Sequence, residues 1–128
     1  MKYIYLFVLS MINLAGFSQT RKVAVIGSST SAGLAASSPD SGWVRRFSNY
    51  YKNQLGAVDT VYNLAVSGTT VYKGMPTSYS PPGGYPTPDP ASNITRAHAL
   101  LSDLPVAANG VVIVNYPTNG YDNYTVPE

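Results

Sequence analysis

The feature that most limits what this chain can fold into is the spacing of its apolar, β-branched runs. Lys22 to Ile26 (KVAVI), Asp59 to Ala65 (DTVYNLA) and Gly110 to Asn115 (GVVIVN) each have the length and composition of a strand. The segments between them are too long for hairpins and carry apolar residues at helical spacing, as crossover connections do. Trp43, Phe47, Tyr50, Tyr51 and Leu55 recur at that spacing, with Arg45, Arg46, Ser48, Asn49 and Lys52 between them. This pattern predicts one amphipathic helix with its aromatic stripe on a sheet, capped by Asp40 or Ser41 and ended by Gly56. Ile94, Ala97, Leu101 and Leu104 form the apolar face of a second helix, capped by Ser92 or Asn93. The order strand, helix, strand, helix, strand predicts an α/β fold, a parallel sheet in a three-layer α/β/α arrangement. The third run is the most continuously apolar and is expected to be buried on both faces.

Composition narrows the function classes. At 45% hydrophobic and 11% charged residues the chain is globular, and a net charge of +2 gives no footprint for nucleic acid. There is no cysteine and one histidine, His98, so neither a disulfide framework nor an all-protein zinc site is expected, and no cofactor is implied. Lys2 followed by the apolar stretch Tyr3 to Phe17, with small residues at Gly16 and Ser18, has the form of a signal peptide over residues 1–18. It falls short of the roughly 18 to 20 residues that span a bilayer. An exported protein with no membrane attachment after cleavage is therefore expected, an uncleaved anchor being the other reading of this segment.

The chemistry is expected where the first strand ends. Gly27-Ser28-Ser29-Thr30 is a turn of small residues closing a buried strand, where α/β proteins place their sites. Ser29 is the candidate nucleophile. If the first strand lies between the other two, the loops after all three strands meet at one rim, bringing Ser29, Gly68 and Asn119 together. Such a serine needs a base and donors for the oxyanion. The Ser29 amide, the Gly68 amide and the Asn119 carboxamide are candidate donors. His98 falls in the body of the second helix and is expected on its flank.

The stretches GSSTSAG, NLAVSGTT and VIVNYPTNG resemble the first three sequence blocks of the SGNH hydrolases, the GDSL-type esterases and acylhydrolases. The resemblance extends over most of Lys22 to Tyr124 and is nearest to exported bacterial members whose first block is GSST. It implies a flavodoxin-like sheet, with Ser29 as nucleophile and Gly68 and Asn119 in the oxyanion hole. The family's catalytic His and its Asp come from a later DxxH block, which no residue here matches. Ser28 stands where the GDS pattern has Asp. The third block, usually GxND, is here Pro117-Thr118-Asn119-Gly120, so its glycine and aspartate both differ.

The long Pro-rich stretch Lys73 to Ser92 has no hydrophobic periodicity, and loops of this length are usually functional or mobile. Tyr72, Tyr79, Tyr85, Tyr116, Tyr121 and Tyr124 fall in loops on the crevice side. Of these Tyr72, Tyr116 and Tyr121 are candidate contacts for an acylated sugar or a small acyl ester, and packing over the loops is the competing account. Asn93-Ile94-Thr95 and Asn123-Tyr124-Thr125 match the glycosylation pattern, the first being better explained as a helix cap. Thr125 to Glu128 has the form of a capping box that announces a further helix. Residues 19–128 are thus expected to be the amino-terminal portion of an SGNH-type domain, inactive for want of its base. The alternative is a non-catalytic α/β module that holds an anion or sugar at the Ser29 turn. The oligomeric state is not legible.

Overall fold

The computed structural model describes residues 21–104 and 110–116. Strands β1 (Lys22–Gly27), β2 (Thr60–Asn63) and β3 (Gly110–Asn115) form a parallel sheet in the order β2-β1-β3, so β1 is central as the loop argument requires. Between them lie α1 (Ser29–Ala32), α2 (Trp43–Ser48) with a π-helical continuation (Asn49–Gln54), α3 (Val71–Gly74) and α4 (Ile94–Leu101). No helix among the described residues is long and apolar enough to cross a membrane. The proposed signal segment, Asn119 and Tyr121 lie outside the described residues.

The alternation of β1 divides the core in two. Val23 and Val25 face α2, packing with Val44, Trp43, Phe47, Val58, Val61 and Ile113. Ala24 and Ile26 face α4, packing with Ala97, Ile94, Leu101, Tyr62, Leu64, Val112 and Tyr116. Paired residues on neighbouring strands share a face, as the register of β1 with β2 and β3 demands. Burying each of the larger β1 side chains contributes about 1.5–3 kcal/mol. Helices on both faces of a parallel sheet give the α/β architecture the element order predicts.

α4 follows the sequence closely. Asn93 is its N-cap, its Oδ1 accepting from the Arg96 amide at 2.9 Å, and Ala97 meets the sheet. The helix ends at Leu101, and Leu104 reaches the sheet from the following turn, close to Gly110.

Four expectations are corrected. First, α2 is capped neither by Asp40 nor by Ser41: Gly42 is the N-cap, without a side-chain bond. Ser41 Oγ is taken up by the Ser38 backbone, and Asp40 pairs with Arg45 at 3.1 Å. Second, the aromatic stripe leaves the sheet halfway. After Ser48 the helix widens to π geometry, with the Leu55 amide donating to the Tyr50 carbonyl at 3.0 Å. The wider turn rotates later side chains off the apolar face, leaving Tyr50, Tyr51 and Leu55 exposed while Val44, outside the expected stripe, is buried. Third, β3 is not buried on both faces. Val111 and Val114 are 49% and 58% exposed, because among the described strands β3 has a neighbour on one side only. Fourth, the second strand is shorter than its apolar run, spanning Thr60–Asn63.

The Pro-rich stretch is tied down at several points. The Asp89 amide donates to the Lys73 carbonyl at 2.9 Å, the Thr77 amide to Thr95 Oγ1 at 3.0 Å, and Asn93 Nδ2 to Thr77 Oγ1 at 2.9 Å. A loop without periodicity is here held by its flanking helices.

Candidate functional site

The carboxyl ends of the strands meet around Gly27. A Cβ there would collide with the Asn115 carbonyl oxygen and come within 2.8 Å of Ser31 Oγ, so only glycine lets β1, β3 and α1 approach this closely. The Ser28 amide donates to the Asn115 carbonyl at 3.2 Å, which binds the Ser29 turn to the end of β3. Ser28 is the N-cap of α1 in extended conformation, and its carbonyl accepts from the Ser31 and Ala32 amides at 3.0 and 2.9 Å. Ser29 is thereby the first helical residue, half-buried at the rim. An amide at that position has no acceptor within its own helix. Gly33, at a φ of 90°, closes the single turn.

The loop after β2 is folded onto the same place. The Val66 amide donates to the Gly27 carbonyl at 3.1 Å, and Thr69 Oγ1 lies 3.0 Å from that same oxygen. Between them the Thr69 amide returns to the Val66 carbonyl at 3.3 Å, making a four-residue turn. Gly68 is third in this turn with a φ of 78°, the position where a type II turn takes glycine. The amide of that residue takes no part in the turn's own bond, and Gly68 is exposed. Ser29 and Gly68 therefore stand at one rim, joined through a single carbonyl. Asn119 follows Asn115 beyond the described residues, so its share in the site rests on the sequence.

Hydroxyls are buried beneath this rim. Ser28 Oγ, Ser31 Oγ and Thr70 Oγ1 are enclosed without a hydrogen-bond partner among the described residues. Unpaired buried hydroxyls are uncommon and costly, by about 1–3 kcal/mol each. Tyr116 leaves β3 beneath the same rim, its hydroxyl over Gly74, where a Cβ would meet the ring at 2.8 Å. Burial raises the Tyr116 pKa above its ordinary 10.0, the Asp89 charge adds to the rise, and the neighbouring Thr69 hydroxyl partly offsets it. Tyr72 packs against Tyr85 at 4.5 Å between ring centroids and against Tyr79 at 6.4 Å. These rings spend part of their surface on one another.

His98 is exposed on α4, next to the sheet-facing Ala97. Two residues at the rim were not singled out by sequence reasoning. Thr69 bridges back to Gly27, and Asn63 donates from Nδ2 to the Ser31 carbonyl at 2.9 Å. The signal available for both was their place in NLAVSGTT, where a strand gives way to small polar residues.

Comparison with known proteins gives no matching family model, no matching curated protein and no matching solved structure.

Proposed function

We propose that this rim is the nucleophile and oxyanion portion of a serine ester hydrolase of the SGNH type. Ser29 Oγ attacks the ester carbonyl, its proton passing to a base as the new C–O bond forms. The alcohol leaves with a proton returned by that base, and water then hydrolyses the acyl-enzyme. The Ser29 and Gly68 amides, with the Asn119 carboxamide, receive the negative charge on the former carbonyl oxygen. The observation that carries this reading is the Gly27 carbonyl, which draws the Gly68 loop onto the Ser29 turn. Small acyl esters or acylated sugars are the proposed substrates, and a signal peptide over residues 1–18 makes the protein exported.

The chain's one histidine, His98, is exposed on α4, and the 128-residue chain is expected not to turn over an activated acetyl ester for want of a base beside Ser29. Hydrolysis by this chain that disappears in Ser29→Ala would show a base within it. The nucleophile itself is tested by adding imidazole as an external base together with an alkyl fluorophosphonate, and mapping the modified peptide by mass spectrometry. Imidazole-dependent labelling confined to Ser29 is the expected result. Equal labelling of several serines, or none, overturns the assignment. The position of His98 favours one rival, a non-catalytic module that holds an anion or sugar at the same turn, and for it no serine labels.

A further inference from the structure

We infer that Asn63 is a positioning residue, holding the Ser29 turn in register with the loop that carries Gly68. Its functional meaning rests on the reading of Ser29 as nucleophile; the coupling itself rests on geometry. Asn63 is the last residue of β2, paired with Val25 of the central strand. Its carboxamide is divided between two segments. Nδ2 donates to the Ser31 carbonyl at 2.9 Å in a half-buried bond, and Oδ1 accepts from the Ala65 amide at 3.1 Å.

The first of these bonds answers a need created by α1. A helix of four residues leaves its last carbonyls without intrahelical donors. Asn63 meets the Ser31 carbonyl from the neighbouring strand, so the one-turn helix bearing Ser29 is tied to β2 and not only to its own chain. The second bond turns the chain out of β2 toward Gly68. Beyond Gly68, Thr69 Oγ1 sits between the Val66 carbonyl at 2.6 Å and the Gly27 carbonyl at 3.0 Å, two acceptors for its one proton. Before Gly68 the loop is thus held on the two backbone carbonyls that flank Ser29, that of Ser31 by Asn63 and that of Gly27 by the Val66 amide. After Gly68 the Thr69 hydroxyl closes the turn against Val66 beside the same Gly27 carbonyl.

A carboxamide carries its donor and its acceptor on separate atoms, so Asn63 makes both bonds at once. Asn63→Asp changes one group, keeps the acceptor for Ala65, and sets a carboxylate against the Ser31 carbonyl. Protonating that carboxyl restores a donor. Among the described residues lining the cavity of about 240 Å³ that Asn63 borders, the charged one is Arg45 of α2, which is paired with Asp40. Wild-type protein measured at each pH accounts for both.

The test is amide hydrogen exchange in the wild-type chain and the Asn63→Asp variant. At neutral pH the Ala32 and Leu34 amides, which close α1, exchange about tenfold faster in the variant. The Ala65 amide and the β1 amides stay within about twofold of wild type. Near pH 3.5, where the introduced carboxyl takes up its proton, the difference at α1 closes to about twofold. Unchanged exchange at α1 overturns the inference, as does acceleration spread evenly through β1 or a defect that persists at low pH. No ester enters this measurement, so its failure leaves the labelling test of Ser29 standing, and failure of that labelling leaves the Asn63 strut intact.

Discussion

The two ends of the same parallel strands are built on different terms. At the amino end the polar groups are paired at the surface. Lys22 Nζ sits 2.7 and 2.8 Å from the two Asp103 carboxylate oxygens, and Asp59 accepts from the Arg21 amide. At the carboxyl end glycine brings backbones into contact, and three hydroxyls are enclosed without partners among the described residues. The amino end is finished as a surface. Among the described residues, the carboxyl end thus holds buried hydroxyls in a closely packed place where the amino end holds surface pairs.

The sharpest way to break this contrast is Gly27→Ala. The added methyl has backbone on one side and Ser31 on the other, and we expect a loss of about 3 kcal/mol, measured by urea denaturation. The same change at Gly83, where nothing lies within 4 Å and φ is not positive, is expected to be neutral or slightly stabilising. Next in size is Asn93→Ala, which removes the α4 cap and the bond to Thr77 and is expected to cost about 1–2 kcal/mol. Ser29→Ala comes third. Its half-buried hydroxyl makes no bond to other described residues, so stability should stay within about 0.5 kcal/mol while imidazole-dependent labelling is abolished. A serine needed for reactivity and not for folding separates a site from a structural turn.

The smallest effects distinguish the two ends by pH. The hydrogen bond from Lys22 lowers the Asp103 pKa, so this pair contributes fully above the ordinary 3.8 of the carboxyl and is lost as pH falls through the lowered value. The Lys22 pKa is raised, chiefly by the same hydrogen bond, so its contribution holds below 10.5 and fades as pH rises through the raised value. Asp103→Asn should slightly flatten the acid limb of a stability profile. Tyr116 acts at the rim and at the other extreme. With its pKa raised, its contribution is complete below 10.0 and lost as pH climbs through the raised value. Tyr116→Phe should flatten the alkaline limb and leave the acid limb alone, as thermal melts across pH would show.

The parallel sheet and α4 were legible because each rests on signals that agree: apolar run, crossover length, and a cap followed by a coherent stripe. The order β2-β1-β3 entered the reading only as a condition, since apolar runs do not say which strand lies in the middle. α2 was misread beyond Ser48 because periodicity assumes a constant turn width, and one π-helical stretch shifts the phase of Tyr50, Tyr51 and Leu55. The exposure of β3 was missed because an apolar run reports what a strand can bury, and what lies beside Val111 and Val114 is a tertiary matter. Within the site, Ser29 and Gly68 stood out by residue type and position. Asn63 did not, because a strand-ending asparagine looks the same whether its amide meets water or the carbonyl of Ser31.

The burial of Asn93 has a consequence for how the chain can be made. Its carboxamide nitrogen, the atom to which a glycan would be joined in Asn93-Ile94-Thr95, is hydrogen-bonded to Thr77 in a residue with no exposed surface. In a secretory pathway that modifies this tripeptide, folding and oligosaccharide transfer compete for one nitrogen. Molecules that fold first are sealed against the transferase, and those modified first cannot seat Asn93 in its buried place against Thr77.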